Sequence, residues 1–305
     1  MAVLLSIFAS DILPIFLIAG IGYLLARFLD TSVKTLAHVV FYALVPSLVF
    51  NLLVTSKMTG GQFGRMAAMA VLLTAAMGLL GRLVAVPLRM SRPELSAFLL
   101  VVMFSNSGNY GLPVVLFAFG ADALSHATVY FVTGSVMTYT VGVFLAAAGR
   151  RSVRSALVGI AKVPHLYAVA VALVVIWTGI RIPLAIMRPV GLLSEAALPM
   201  MVLVLGMQLE RATIPDRPAL VAVAVGLSLI AAPVVALGLA SILGISGTAR
   251  QAGVVLASMP VAVVTTILSL EFDVAPAFVT STVFVSTLLS PLTLTPLIAY
   301  LRQSG

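Results

Sequence analysis

Cysteine is absent from this chain of 305 residues, which excludes disulfide bonds, thiol nucleophiles and thiolate metal sites. Histidine is scarce, and His38, His126 and His165 are too widely separated in the sequence to form a metal-binding motif. We therefore predict no metal and no cofactor. The sequence also lacks an HExxH pair, an acidic metal cluster, a P-loop and a GxSxG elbow, so we predict that the protein is not an enzyme.

Charged residues make up only 9% of the sequence, whereas hydrophobic residues make up 62%. A soluble domain needs a far more polar surface, so this composition indicates an integral membrane protein surrounded by lipid. The net charge of +8 is compatible with nucleic acid as a partner, but the cations lie in short segments between apolar runs. Membrane topology explains that distribution, and we therefore predict no nucleic-acid partner.

Ten apolar segments are long enough to cross a bilayer, which takes about 20 residues in a helix. These predicted spans, numbered 1 to 10 in chain order, cover residues 4–27, 34–54, 64–87, 94–120, 125–149, 163–181, 186–208, 217–243, 248–270 and 275–301. The first segment lacks the basic start and the cleavage site of a signal peptide, so we expect it to be a retained helix.

The longest polar connection, residues 150–164, separates five spans in residues 1–149 from five in residues 165–305. Because each half has an odd number of spans, the halves insert in opposite orientations, as in transporters with inverted repeats. Pro46 in span 2 and Pro199 in span 7 lie at similar depths, in agreement with such a repeat. The predicted fold class is thus an all-α membrane protein of ten transmembrane helices, arranged as a 5+5 inverted repeat.

Lysine and arginine are distributed unequally between the two sides of this arrangement. About eleven of the 17 follow odd-numbered spans. The other side carries Lys57, Arg65, Arg181, Arg188, Arg250 and Arg302. The positive-inside rule makes the richer side cytoplasmic, so we expect both termini on the opposite side, which is the periplasm if the protein lies in a bacterial inner membrane.

Span 4 is interrupted by the polar stretch Ser105-Asn106-Ser107-Gly108-Asn109-Tyr110-Gly111-Leu112-Pro113. Asparagine and serine compete for backbone hydrogen bonds and Pro113 removes a donor, so we expect the helix to break here. Within hydrocarbon, an opened backbone is tolerated only where it is buried in protein or lines a water-filled cavity. The alternative is a kink or a close-packing face, but the two asparagines argue against it because an unpaired amide is costly in lipid.

Span 9 contains a second interruption at Ser258-Met259-Pro260, followed by Thr265. Taken alone, this segment is equally compatible with a common proline kink. Two facing breaks would create an uncharged polar site near the middle of the membrane, where the open start of a half-helix attracts carboxylates. The residues with suitable side chains are Ser105, Asn106, Asn109, Ser258 and Thr265.

Other polar residues have two interpretations each. Asn51 and Gln208 either face the site or, as we prefer, form interhelical hydrogen bonds near the ends of their spans. Glu195 in span 7 is either a proton carrier or a solvated group near the outer end of the span. His38 either titrates during coupling or is solvated near a loop. Asp11, close to the outer face, is expected to be a cap or an interfacial group.

These segments resemble the auxin efflux carrier family, which includes bacterial carriers of malonate, malate and related acids and the plant PIN proteins. The resemblance covers essentially the whole chain, and its most specific parts are Asn106–Pro113 and Ala257–Val263. Supporting parts are Pro46–Phe50 in span 2 and Leu198–Gly206 in span 7.

The resemblance implies a fold similar to the bile-acid sodium symporters, in which helices 4 and 9 are broken and cross. Helices 1, 2, 6 and 7 would form a scaffold that dimerises, and helices 3–5 and 8–10 a moving transport domain. The anion would bind at the crossing, and the binding residues would then be Asn106, Asn109, Pro113, Pro260 and Val261, with Asn51 facing them from the scaffold. We also include Gly108 and Met259, which lie in the two interrupted segments, among the candidate binding residues. The acidic residue that some plant members carry on helix 2 is absent here, which leaves Glu195 and His38 as candidates for proton coupling.

The sequence therefore predicts a secondary active or facilitative transporter. It would move small organic anions, such as malonate, malate or auxin-like acids, across the inner membrane by an elevator-type alternating-access mechanism. One alternative is a sodium-coupled organic anion symporter of the same fold, and another is a ligand-binding membrane subunit that transports nothing. The expected partners are the organic anion, membrane lipid and a second copy of the chain in a homodimer.

Overall fold

A computed structural model describes residues 2–147, 163–210 and 217–304, and these ranges are almost entirely helical. Their helices are numbered in chain order as α1 Ala2–Phe28, α2 Val33–Thr55, α3 Gly60–Ala85, α4 Arg92–Met103, α5 Ser107–Ala146, α6 Pro164–Thr178, α7 Leu184–Leu209, α8 Pro218–Ile242, α9 Gly247–Ala257, α10 Val264–Phe272 and α11 Pro276–Gln303. The predicted connection at 150–164 lies outside the described residues, apart from its last two positions.

Within the described ranges, 7 helices are long and apolar enough to cross a membrane, namely α1, α2, α3, α5, α7, α8 and α11. Helix α6 is apolar but has only 15 residues. The surface agrees with this composition, because Trp177 is 89% exposed and Ile242 is 80% exposed. Soluble proteins rarely expose apolar surface on this scale, so the predicted class of all-helical membrane protein is confirmed for the described residues.

Spans 4 and 5 are joined differently from the prediction. Instead of a short loop at residues 121–124, α5 continues through both spans, and only Gly120 departs from helical backbone (φ 81°, ψ −171°). Glycine tolerates a positive φ that other residues avoid. A single residue therefore redirects the chain where a longer connection was expected.

Proline accounts for most of the irregular turns inside the helices. Wide π-helical turns occupy Phe8–Ile12, Val40–Leu44, Ser107–Gly111, Thr138–Gly142 and Leu227–Ala231. All but the fourth are followed two positions later by a proline, namely Pro14, Pro46, Pro113 and Pro233. Proline lacks an N–H group and clashes with the carbonyl group four residues earlier, and a widened turn relieves both problems.

The helices pack in two groups. In the first group, α7 packs along α1 and α2, and α6 packs along α2. In the second group, α5 packs against α3 and α9, while α8 packs against α3, α9 and α11. The groups meet mainly where α7 contacts the start of α5 and where α1 contacts α5 and α11. Any cavity between the groups is therefore bordered by the start of α5.

Helices α1 and α7 approach so closely that each requires glycine. A Cβ atom at Gly206 would lie 1.8 Å from the carbonyl oxygen of Ala19, and one at Gly22 would lie 2.1 Å from that of Leu203. The obstructing atoms belong to helix backbone, which cannot rotate out of the way as a side chain does. This contact makes α1 and α7 one rigid pair within the first group.

Asp11 is neither a cap nor an interfacial group, because it is only 3% exposed. Its Oδ2 atom forms an ion pair with Nη2 of Arg302 at 2.8 Å, and Ser10 donates a hydrogen bond to its Oδ1 at 2.8 Å. Arg302 also donates to the carbonyl oxygen of Ala118 at 2.9 Å. The pair joins opposite ends of the chain, so local sequence around Asp11 gave no sign of its partner.

We predict that Gly206→Ala markedly lowers the unfolding temperature of the purified protein in detergent. Overpacking in a well-packed interior costs about 1–3 kcal/mol, and here the clash is with rigid backbone. Gly191→Ala on the same helix is the matched control, because a Cβ at Gly191 meets nothing within 4 Å. Alanine is the better helix former there by about 0.8–1 kcal/mol. Equal unfolding temperatures for the two variants would contradict the close contact of α1 and α7.

Candidate functional site

Both interruptions expected from the sequence are present in the structure. Helix α4 ends at Met103 and α5 begins at Ser107. Helix α9 ends at Ala257 and α10 begins at Val264. The residues between them leave the helix, so each interruption frees backbone groups that need new partners.

The two interrupted segments satisfy each other's backbone. The amide of Asn106 donates to the carbonyl oxygen of Pro260 at 2.7 Å, and the amide of Ala262 donates to the carbonyl oxygen of Phe104 at 2.9 Å. Proline can only accept a backbone hydrogen bond, and Pro260 acts as an acceptor here. The bonds are reciprocal, so neither break is complete without the other.

Ser105 and Val261 face each other at the centre of this antiparallel pairing. The hydroxyl group of Ser105 donates to the carbonyl oxygen of Leu256 at 2.9 Å, near the end of α9. The amide of Val261 donates to Oγ of Ser286 on α11 at 3.1 Å. Side chains from outside the bridge thus complete the hydrogen bonding that the two breaks require.

A cavity of about 440 Å³ lies beside the paired breaks. Its wall includes residues of α2, α6 and α7 from the first packing group and residues of α3, α5 and α10 from the second. The cavity therefore lies between the two groups rather than inside either one. Among the described residues, no aspartate, glutamate, lysine or arginine lines it.

Three side chains in the cavity wall have polar atoms without a hydrogen-bond partner in the described part of the chain. They are Nδ2 of Asn106, Oε1 of Gln208 and both ring nitrogens of His165. Asn106 is only 5% exposed and His165 only 1% exposed. Buried polar groups are nearly always paired, so three open groups around one cavity indicate that a ligand or water completes them.

Four of the predicted binding residues line the cavity, namely Ser105, Asn106, Gly108 and Asn109. They lie in the first break and the first turn of α5, so the open start of that half-helix borders the cavity. His38 also lines it.

Six other predicted binding residues are outside the cavity wall, namely Pro113, Ser258, Met259, Pro260, Val261 and Thr265. They surround or form the paired breaks. The hydroxyl groups of Ser258 and Thr265 donate to carbonyl oxygens of Val254 at 2.6 Å and Ala262 at 2.6 Å. In this conformation these hydroxyl groups stabilise the backbone around the site.

Asn51 and Glu195 also lie outside the cavity wall. Nδ2 of Asn51 donates to Oγ of Ser194 at 3.2 Å, which joins α2 to α7 and agrees with the preferred interpretation of an interhelical hydrogen bond. Glu195 follows Ser194 in the chain, and its side chain is exposed on the surface of α7. Neither side chain borders the cavity in this conformation.

Most residues of the cavity wall were not among the predicted binding residues, and two of them, His165 and Gln208, carry polar atoms without a partner in the described part of the chain. His165 follows the long polar connection and had no distinguishing motif, and Gln208 was expected to form an interhelical hydrogen bond. In the sequence, the one feature that pointed to either residue was a polar side chain near the end of an apolar span. That signal does not reveal which face of the helix meets a cavity, because facing depends on tertiary packing.

Comparison with known proteins agrees with a transporter. A family model described as "Membrane transport protein" matches residues 7–156 and 147–298. The chain belongs to this family, that of the auxin efflux carriers. The predicted family is thereby confirmed.

Two archaeal proteins are similar to this member of the auxin efflux carrier family over most of its length. An uncharacterized transporter of Methanocaldococcus jannaschii is 25% identical over 269 residues, which cover 86% of this chain and 87% of that protein. An uncharacterized transporter of Methanothermobacter thermautotrophicus is 26% identical over 291 residues, covering 92% and 94%. The similarity therefore includes both breaks and both packing groups.

We predict that Ser286→Ala destabilises the protein by about 1–3 kcal/mol, because it leaves the buried amide of Val261 without its acceptor. Thermal unfolding in detergent measures the effect. Thr282→Val on the same helix is the matched control, since the hydroxyl of Thr282 is equally buried and bonds to the carbonyl oxygen of Phe278 within its own helix. Ser286 would have no special part in holding the break if both variants lost the same stability.

Proposed function

We propose that this protein is a secondary active or facilitative transporter of small organic anions, working by elevator-type alternating access in the bacterial inner membrane. The observation that carries the proposal is the cavity at the paired breaks, where a buried amide donor and the start of α5 border a wall whose described residues include no aspartate, glutamate, lysine or arginine. Its family and its relatives named as transporters support movement of the ligand rather than binding alone.

The chemistry of the wall favours a carboxylate. Ser107, Gly108 and Asn109 in the first turn of α5 line the cavity, and the start of a helix carries a partial positive charge of roughly half an elementary charge. Nδ2 of Asn106 adds an amide donor without a partner in the described ranges. A carboxylate accepts several hydrogen bonds at once, so malonate, malate or auxin-like acids suit these donors. The volume lies within the range of about 300–1,000 Å³ that small-molecule sites occupy.

The two packing groups support an elevator arrangement, because the cavity lies between them. In this proposal α1, α2, α6 and α7 form the scaffold, and α3–α5 with α8–α11 form the domain that moves past it. The proposal also includes ten transmembrane helices in a 5+5 inverted repeat of residues 1–149 and 165–305, and one break in each half, paired by reciprocal hydrogen bonds, supports that symmetry. The scaffold would also carry the interface of a homodimer, and Leu184 and Leu192 of α7 are each 70% exposed.

The wall also indicates which side of the membrane the cavity faces. Beyond the breaks it is lined by His38 near the start of α2, His165 at the start of α6 and Gln208 at the end of α7. These helix ends are on the side richer in lysine and arginine, which the positive-inside rule makes cytoplasmic. We therefore interpret this conformation as inward-facing, with both termini in the periplasm.

The two alternative functions have less support. A sodium-coupled symporter must bind a cation as well as the anion, and no aspartate or glutamate among the described residues lines the cavity. A binding subunit without transport gives no reason for a cavity between two separately packed groups. Flux of a radiolabelled carboxylate into proteoliposomes, with and without a sodium gradient, distinguishes the three functions.

We predict that Asn106→Ala weakens carboxylate binding about tenfold or more, because a hydrogen bond to a charged group contributes about 1.5–3 kcal/mol. The ligand is whichever of malonate, malate and indole-3-acetate gives the largest thermal shift with the unmodified protein. Titration calorimetry measures its affinity.

Gln251→Ala is the matched control for that experiment. It also removes an amide side chain, but Gln251 donates to the carbonyl oxygen of Leu301 at 3.1 Å and lies outside the cavity wall. This variant should keep the affinity of the unmodified protein. Unchanged affinity in Asn106→Ala would count against the assignment of the anion site.

A further inference from the structure

His165 is the most deeply buried of the open polar groups in the cavity wall. It lies in the first turn of α6, is 1% exposed, and neither ring nitrogen has a hydrogen-bond partner in the described part of the chain. Its ring stacks on Phe131 with centroids 5.3 Å apart and an interplanar angle of 30°. The ring of Phe41 meets it edge-on, with centroids 5.7 Å apart. Two aromatic rings therefore hold the imidazole in the wall.

Burying an imidazole without any hydrogen bond costs free energy, unless a group in the cavity forms hydrogen bonds with its ring nitrogens. The aromatic neighbours contribute packing but no acceptor or donor in the ring plane. Since the cavity lies against this ring, a ligand group or water inside it is the partner that the geometry leaves available.

The charge of a bound carboxylate poses a separate requirement. The other titratable side chains in the wall are His38 and the tyrosines Tyr42, Tyr130 and Tyr139. Tyrosine supplies no positive charge, and His38 is exposed near the start of α2. Within the described residues, His165 is thus the buried wall residue that becomes cationic by taking up a proton.

We propose that His165 takes up one proton when an organic anion enters the cavity, so that this protein binds anion and proton as a pair. This inference rests on the proposed function, because it requires a carboxylate in the cavity. The proton comes from solvent and attaches to the free lone pair of the imidazole ring. The resulting imidazolium then donates an N–H hydrogen bond to the carboxylate, which keeps its negative charge.

The physical reason is the cost of an isolated buried charge. An imidazolium in the empty cavity has no counter-charge, and a carboxylate without a cation faces helix and amide dipoles alone. Bound together, the two charges neutralise each other in a poorly solvated space. Thermodynamic linkage then requires that protonation strengthen anion binding by the same factor as the anion strengthens protonation.

The consequence for transport is that loading of the anion depends on pH. In the proposed arrangement α6 belongs to the fixed scaffold, so the proton on His165 does not travel with the anion and returns to solvent when the transport domain moves away. His165 would thereby make anion loading sensitive to the proton concentration, whereas the sequence had indicated Glu195 or His38 for proton coupling. Glu195 is exposed and lies outside the cavity wall, and His38 is exposed on it.

The experiment is titration calorimetry of the full chain in detergent with the anion selected from malonate, malate and indole-3-acetate. Measurements in two buffers of different ionisation enthalpy, such as phosphate and Tris, give the number of protons taken up on binding. We expect a pH interval, between ionisation of His165 in the empty protein and in the anion-bound protein, in which uptake approaches one proton and affinity falls by up to about tenfold per pH unit as the pH rises. Titrations at several pH values locate this interval. His165→Gln should bind without proton uptake and with little dependence on pH.

Two variants make the result specific. His126→Gln is the matched control, because His126 is also buried and has an unpaired Nε2 atom but lies outside the cavity wall. It should keep the proton uptake of the unmodified protein. His38→Gln tests the rival residue and should also keep it.

The outcomes distinguish this inference from the function on which it rests. If none of the anions binds the unmodified protein, the proposed function fails and the inference fails with it. If an anion binds without proton uptake, the proposed function stands and the inference is wrong. Loss of uptake in His38→Gln, together with retained uptake in His165→Gln, would also overturn it. The unmodified protein is sufficient for the first two outcomes, so the test does not depend on the folding of any variant.

Discussion

Hydrogen bonding between two broken helices is the interaction on which the rest of this structure depends. The amides of Asn106 and Ala262 donate to carbonyl oxygens of the opposite segment at 2.7 and 2.9 Å. Lipid supplies no hydrogen bonds, so an opened backbone persists in a membrane only if protein or enclosed water satisfies it. Each break is the partner that makes the other possible, and together they leave a polar surface deep in an apolar protein.

The arrangement of the surrounding helices follows from this pairing. Because α4 with α5 and α9 with α10 are tied at their breaks, they belong to one packing group, and the start of α5 is left facing α7. The other group is held together differently, by the close backbone contact of Gly22 and Gly206 between α1 and α7. The cavity lies between these two packing groups, as the proposed elevator movement requires.

The sequence was sufficient to predict an all-helical membrane protein and the positions of both breaks. The length of an apolar segment and the run of polar residues around Asn106 are features of the local sequence. The rules that relate them to membrane spans and helix breaks also use local sequence alone. Gly120 shows the limit of that reading, since a single residue replaced an expected loop. Local patterns indicate where a helix ends, but they do not indicate how few residues the connection to the next helix needs.

The side chains around the cavity were harder to predict. Asn106 was identified because its polarity is conspicuous within span 4, whereas His165 and Gln208 lie near the ends of spans, where polar residues are ordinary. Asp11 and Arg302 pair across nearly the whole length of the chain, and no local pattern contains such a contact. Which face of a helix meets a cavity depends on tertiary packing, so it cannot be predicted from the local pattern of one sequence.

The absence of cysteine from the chain permits a direct test of the central claim that the two breaks form one paired unit. Ser105 and Val261 face each other in an antiparallel bridge and form a non-hydrogen-bonded pair, because the two backbone bonds lie on either side of them. In such a pair the side chains lie close together. The measurement is disulfide formation in the double variant Ser105→Cys/Val261→Cys in native membranes after mild oxidation. The account predicts rapid and nearly complete cross-linking, detected as an intramolecular disulfide by mass spectrometry, while each single variant forms none. Failure of the folded double variant to cross-link would mean that the breaks are apart, and would contradict the account.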